Sequence, residues 1–316
     1  MPRYALGDVR VRVRRVGPPG AYTRVSEVRG FGPVDFVLVP GIGMSVGVFE
    51  RLAPRLLPYG SVYALDLPGF AGTPCRARDL DIVGYAHLVG AAVDALGLAA
   101  PVVIGHSMGA QVVTELSAGR PDLTRLVLVS PVVAPAQRSA VRVALAFALA
   151  ASKEPVGVAL LAVMSYLLTG LRPFFASMPR MIAFRLEQRI SDVEADVLVL
   201  RGELDAVCPR GWTALIVSRA RSARAVTIPG AAHSIVHRNA GEVARLCAEH
   251  AGLTHPSRAS IPRARSRRSP RLSLLATVAR AREFLAILCR DDVALARAKT
   301  SRMRVAIVSA EGMSSD

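Results

Sequence analysis

Lysine is almost missing from this 316-residue chain: only Lys153 and Lys299 stand among its forty basic residues. So strong an arginine bias, beside abundant alanine and valine, reads as the composition of a GC-rich coding sequence rather than as adaptation to a polyanion. Cysteine is scarce too. Cys75, Cys208, Cys247 and Cys289 lie far apart, without the spacing of a metal site or the density of a disulfide scaffold. Aromatic residues make up 5% of the chain. None interleaves with the basic C-terminal stretch in the way base stacking on a single strand requires, so no specific nucleic-acid partner is expected. No apolar run reaches the roughly 20 residues that span a bilayer. The longest, residues 156–171, is separated from the apolar stretch 141–151 by Ser152-Lys-Glu-Pro155. No apolar core follows the first eight residues, so no secretory signal is expected. Together these absences point to a reduced, cytoplasmic chain.

What is present is a globular composition, 52% apolar and 20% charged. The net charge of +16 divides unevenly: residues 1–254 carry 27 basic and 19 acidic residues, and residues 255–316 carry 13 and 5. Each part is therefore +8, the second in a quarter of the length of the first. Period-two alternation over 9–13 and 23–29 predicts two half-exposed antiparallel strands. Continuous apolar runs at 34–39, 62–66, 101–104, 125–130, 197–201 and 225–228 predict buried strands, alternating with helical stretches at 46–57 and at 81–96 behind a capping Asp81. That order is α/β with a mainly parallel sheet, its ligands expected beyond the carboxyl ends of the strands. Residues 131–190 interrupt the alternation with apolar helical segments and a mixed helix at 181–190, expected as a helical insertion over the sheet. From 255 onward a basic, Ser/Pro-rich linker precedes Leu274, Leu275, Val278, Ala281, Leu285 and Leu288, spaced as the apolar face of an amphipathic helix. That extension is expected to dock on the domain or to lack function. Membrane contact through the insertion or the basic tail ranks below that.

The chemistry centres on Val102-Val-Ile-Gly-His-Ser107-Met-Gly109: an apolar strand, a sharp turn with a serine at its apex, then a helix. Flanking glycines leave room for so tight a turn, and the N–H of Met108 at the helix start points to where an oxyanion would form. A nucleophilic serine needs a base and a group to orient that base. The loop Gly202-Glu-Leu-Asp205 after one strand offers a carboxylate, with Glu203 competing against Asp205. The loop Pro229-Gly-Ala-Ala-His233 after the last strand offers the base, with His237 as its nearest rival. His106 reads as structural or substrate-lining, Asp66 as a structural turn, and Cys208 as a buried thiol.

Five segments in order over residues 20–252 resemble the α/β-hydrolase superfamily in its small esterase, lipase and C–C hydrolase branch. They are Pro40-Gly-Ile-Gly, Asp66-Leu-Pro-Gly-Phe-Ala-Gly, Gly105-His-Ser-Met-Gly, Gly202-Glu-Leu-Asp and Pro229-Gly-Ala-Ala-His. The resemblance implies an α/β-hydrolase fold: a mostly parallel eight-stranded sheet flanked by helices, with a helical cap near 131–190. It places the hydrolase domain at 1–254 and the extension at 255–316. It also implies a Ser107 nucleophile, a His233 base, an Asp205 orienter and an oxyanion hole from the Ile42 and Met108 amides. Family members usually carry His-Gly where this chain has Pro40-Gly41; residue 42 contributes through its backbone amide, so the departure need not abolish the hole. Ser107 argues against the branches that use an aspartate nucleophile.

The activity expected is hydrolysis of a small, apolar carboxylic ester, with no metal or organic cofactor. Thioester or C–C cleavage, or ligand binding with little turnover, are the alternatives. Leu145, Phe147, Leu160, Leu161, Met164, Leu168, Phe174 and Phe175 are expected over the catalytic mouth. The sequence carries no signal of oligomeric state.

Overall fold

The computed structural model describes residues 9–75, 80–154, 165–167, 171–253 and 270–311. The N-terminal stretch without an apolar core, the insertion residues Leu160, Leu161, Met164 and Leu168, and the basic linker lie outside the described residues.

Eight strands form one sheet: β1 (Val11–Val16), β2 (Thr23–Val28), β3 (Val34–Val39), β4 (Gly60–Asp66), β5 (Val102–His106), β6 (Arg125–Val129), β7 (Asp196–Gly202) and β8 (Ala223–Ile228). Their order is β1-β2-β4-β3-β5-β6-β7-β8. The β1–β2 and β2–β4 pairs are antiparallel and the rest parallel. The apolar runs of β3, β5, β6 and β7 are continuous because both faces of the sheet are covered. Val37 and Val39 belong to the core on one face, and Phe36 and Leu38 to the core on the other.

The helices are α1 (Ala53–Leu56), α2 (Ile82–Ala95), α3 (Met108–Ala118), α4 (Ala140–Ala151), α5 (Leu171–Ala183), α6 (Leu186–Arg189), α7 (Arg210–Arg219), α8 (Ile235–Arg238), α9 (Ala240–His250), α10 (Pro270–Leu288) and α11 (Asp292–Glu311). Asp81 caps α2 as expected, its Oδ1 accepting from Gly84 N at 2.8 Å. Residues 46–57 depart from the single expected helix. They form a 3-10 turn over Val46–Phe49, then α1 with Pro54 in its first turn. A proline inside a longer helix would remove a hydrogen bond and clash with the preceding turn, so the helix restarts at it. The mixed helix expected at 181–190 is also revised: α5 runs to Ala183 with Pro179 inside it, and α6 follows separately. No helix of the described residues is long and apolar enough to cross a membrane.

β1 alternates between partly covered valines and exposed arginines, whereas β2 is buried at every position. The cause is the C-terminal helix pair. α11 packs along β1 and sends Lys299 onto Ser26 Oγ at 2.7 Å and Asp66 Oδ2 at 3.3 Å. Arg280 of α10 and Arg302 of α11 meet the buried Glu50 at 2.5 and 3.9 Å. The face of α10 turned inward is not the one its apolar spacing suggested. Ala279, Glu283, Ala286 and Ile287 are buried, while Leu275, Val278, Leu285 and Leu288 are exposed. Small residues allow the neighbouring helix to approach closely, and the Glu283–Arg302 pair at 2.9 Å decides the orientation.

Candidate active site

Ser107 stands between β5 and α3 at φ 57 and ψ −121, a left-handed conformation that costs a non-glycine residue energy. The flanking glycines make it feasible. A Cβ at Gly105 would lie 2.3 Å from the Gly109 carbonyl oxygen, and one at Gly109 would lie 2.2 Å from that of Val39. Its own N–H donates to Val129 O at 2.9 Å, so β6 holds the turn in place. Met108 opens α3, where the first amides lack helical acceptors. The loop bearing Ile42 runs alongside: a Cβ on Gly41 would come within 2.9 Å of Ser107 Cβ.

Asp205 lies on the loop after β7 and His233 on the loop after β8. The His233 Nδ1–H donates to the Asp205 carboxylate at 2.9 Å (Oδ2) and 3.1 Å (Oδ1). Asp205 Oδ1 also accepts from the Val207 and Cys208 amides at 2.9 and 3.2 Å. Its competitor Glu203 turns away and accepts from Gly230 N at 2.8 Å. The rival histidine, His237, meets Glu50 at 3.1 Å instead. With Nδ1 bound to a carboxylate, the lone pair of His233 falls on Nε2, which is buried and has no hydrogen-bond partner among the described residues, Ser107 included. Ser107 is 4% exposed, Asp205 2% and His233 7%, so the whole constellation is covered.

Electrostatics separate the two adjacent histidines. Burial opposes charge on His233, yet the Asp205 carboxylate, the hydrogen bond to it and the charge of Glu154 outweigh that and raise its pKa. Burial would raise Asp205, but His233, Ser130 and the Cys208 amide together lower it. His106 goes the other way, driven to about 3 by burial and by the neighbouring His233. Neutral His106 spans 3.3 Å from Nε2 to the His233 carbonyl. A carbonyl only accepts, so that nitrogen carries the proton. The Cys208 thiol is pushed well above its ordinary value by burial, then by Asp205.

Three contributors had no signal in the sequence reading. Ser130, at φ 48 after β6, donates its hydroxyl to His233 O at 3.1 Å. Arg201 holds the Asp205 loop through Nε to Cys208 O at 2.8 Å. Glu154, following α4, accepts from Ser234 N at 2.6 Å. Among the described residues between 131 and 190, apolar rings stand at these loops. The Phe147 ring stands edge-on to His233 at 5.6 Å, and Tyr166 and Phe174 pack together at 5.2 Å over Gly43. Phe175 and Leu145, expected over the mouth, are 60% and 59% exposed. Asp66 is structural in its contacts, accepting from Val46 N at 2.8 Å and pairing with Arg24 at 3.2 Å. Among the described residues no cluster of three or more His, Cys, Asp or Glu could hold a metal ion.

The family model described as "Alpha/beta hydrolase family" matches residues 36–246. N-formylmaleamate deformylase of Pseudomonas putida is 40% identical over 98 residues, 30% of this chain and 36% of that protein. Pimeloyl-[acyl-carrier protein] methyl ester esterase of Xylella fastidiosa is 30% identical over 105 residues, 33% of this chain and 38% of that one. The chain thus spans less than two fifths of the length of these two curated relatives. A solved structure, E-2-(acetamidomethylene)succinate hydrolase, superposes with a TM-score of 0.64 at 22% identity, covering 77% of this chain and 99% of that chain.

Proposed function

The chain belongs to the alpha/beta hydrolase family, and from that premise we propose that it is a serine hydrolase cleaving the carboxylic ester of a small, apolar substrate. The observation that carries the reading is the buried Asp205–His233 pair, whose free Nε2 has no partner inside the enclosure that also holds Ser107. Nε2 takes the Ser107 proton as Oγ bonds to the acyl carbon, and the carbonyl electron pair moves onto oxygen. The Ile42 and Met108 N–H groups receive that oxyanion, each such donor contributing about 3–4 kcal/mol. Collapse breaks the bond to the alkoxide, which leaves with the proton from His233. Water then repeats the sequence with His233 as base, releasing the acid and restoring Ser107. The lack of a hydrogen bond between Ser107 and Nε2 fits a site that tightens only when substrate is bound.

The apolar groups on either side, Phe147 against His233 and Tyr166 with Phe174 over Gly43, favour an apolar acyl or alkyl group. A relative named as a methyl ester esterase favours an ester over a thioester or a C–C bond. The test is hydrolysis of p-nitrophenyl esters of graded acyl length by wild type and Ser107→Ala. Serine-dependent turnover lost by about 10³-fold or more in the variant is expected. Equal rates in the two proteins would retire the reading in favour of C–C substrates or ligand binding.

A further inference from the structure

Glu154 is the one acidic residue between positions 131 and 186, a stretch that also holds Arg138, Arg142, Lys153, Arg172, Arg180 and Arg185. Its carboxylate nevertheless reaches the histidine loop, accepting from Ser234 N across a separation of 80 residues. Ser234 follows His233 directly, so this bond ties the end of α4 to the backbone that carries the imidazole. Phe147, two turns earlier on α4, lies edge-on against the same ring. The end of α4 and Glu154 therefore meet this loop twice, Phe147 against the His233 ring and Glu154 on the amide of the residue that follows it.

The other groups around the imidazole are accounted for. Asp205 binds Nδ1, and neutral His106 from the serine turn stands 5.1 Å away, ring to ring. Behind Asp205, Cys208 gives its amide to the carboxylate, and Arg201 holds the Cys208 carbonyl. Glu154 is thus the second carboxylate acting on the imidazole, and it arrives from a different layer of the molecule.

We propose that Glu154 is a positioning residue for the reaction inferred above, fastening the insertion to the His233 loop and supplying a negative charge that stabilises the imidazolium formed when Ser107 attacks. The proposal rests on the reading of His233 as the base. The Glu154–Ser234 tether and charging of the base then stabilise each other, because a carboxylate near a buried imidazole favours its cationic form. The upward influence of Glu154 on the His233 pKa agrees with this. The consequence at rest is that His233 stays protonated, and idle as a base, to a higher pH than Asp205 alone would impose.

Glu154→Gln separates charge from tether, since the amide oxygen still accepts from Ser234 N–H. The experiment is a proton NMR titration of the His233 Cε1–H in the full chain, assigned with His233→Gln, comparing wild type with Glu154→Gln. The midpoint is expected to fall in Glu154→Gln. The acid limb of ester hydrolysis should move down with it, leaving the variant severalfold faster than wild type below the wild-type limb. Glu154→Ala, which loses the tether as well, should show the same downward shift of the limb and, on the plateau above it, a lower kcat than Glu154→Gln with KM little changed. An unchanged or raised midpoint in Glu154→Gln overturns the proposal even where Ser107-dependent turnover is intact. A lowered midpoint without any Ser107-dependent turnover upholds the coupling of Glu154 to His233 and sinks the hydrolase reading instead.

Discussion

His233 carries the pH behaviour of this site, and the sign follows from its surroundings. In the proposed mechanism it accepts the Ser107 proton only when neutral, so activity is expected to disappear as pH falls through its folded pKa. Because Asp205 and Glu154 outweigh burial and raise that pKa above the ordinary 6.5, the acid limb of kcat/KM is expected above pH 6.5. A pH–rate profile on any ester the protein turns over would read it, and a limb at or below 6.5 would contradict the electrostatics. The same linkage means that the stability His233 contributes is complete below 6.5 and fades as pH rises through the raised value. His106 adds no limb of its own near neutrality, since it stays uncharged down to about 3. The roles of Glu203 and Asp205 were open in the sequence, because both carboxylates follow the same strand within three residues. The turn after β7 separates them: Val207 and Cys208 amides point at Asp205, while Glu203 braces Gly230.

The element that positions Ser107 is the strand–turn–helix from β5 to α3, held by contacts at backbone distance. Gly109→Ala would drive a Cβ to 2.2 Å from the Val39 carbonyl oxygen and 2.7 Å from that of Pro40, where no flexible side chain can give way. The loop that bears Ile42 must then shift. The expected cost is about 3 kcal/mol or more, read as a lower denaturant midpoint, together with loss of ester hydrolysis. Unaltered stability in that variant would mean that the turn is looser than its geometry requires. This element was legible in the sequence because its residue pattern is local, five consecutive residues, although the backbone it packs against comes from Val39, Pro40 and Val129. The single helix expected over 46–57 divides instead into a 3-10 turn and α1, which has Pro54 in its first turn. On the insertion, Pro179 was accommodated inside α5, so a proline does not mark a helix boundary everywhere.

At the scale of the molecule, the C-terminal helices bring cations to carboxylates that the sheet has buried. Lys299 is 4% exposed and Asp66 1%, and Asp66 in turn holds the Val46 amide just past the Ile42 loop. Glu50 collects His237, Arg280 and Arg302; burial works against its charge, but these partners bring its pKa down to about 2. A cavity of about 40 Å³ beneath the helix pair is lined by Glu50, Lys299 and Arg302 and does not include Ser107. Lys299→Met, similar in reach but uncharged, leaves Asp66 with Arg24 as its cation and the Val46 amide as its other donor. It is expected to cost about 3 kcal/mol, the low end for breaking a buried pair. Urea unfolding would measure the loss. An unchanged midpoint in the single variant would mean that α11 contributes nothing through this pair.

The amino-acid sequence by itself determined the alternation of strands and helices, the serine turn, and the loops that present Asp205 and His233. Each of these rests on apolar periodicity or on turn chemistry within a few neighbouring residues. Tertiary structure decided which carboxylate faces His233, which face of α10 is buried, and that β2 is covered on both sides. It also brought Glu154, Ser130 and Lys299 to partners 80, 103 and 233 residues away. Pairings at such separations leave no periodic trace along the chain. They arise only when the packing of the sheet, the insertion and the C-terminal helices buries polar groups that must then find one another.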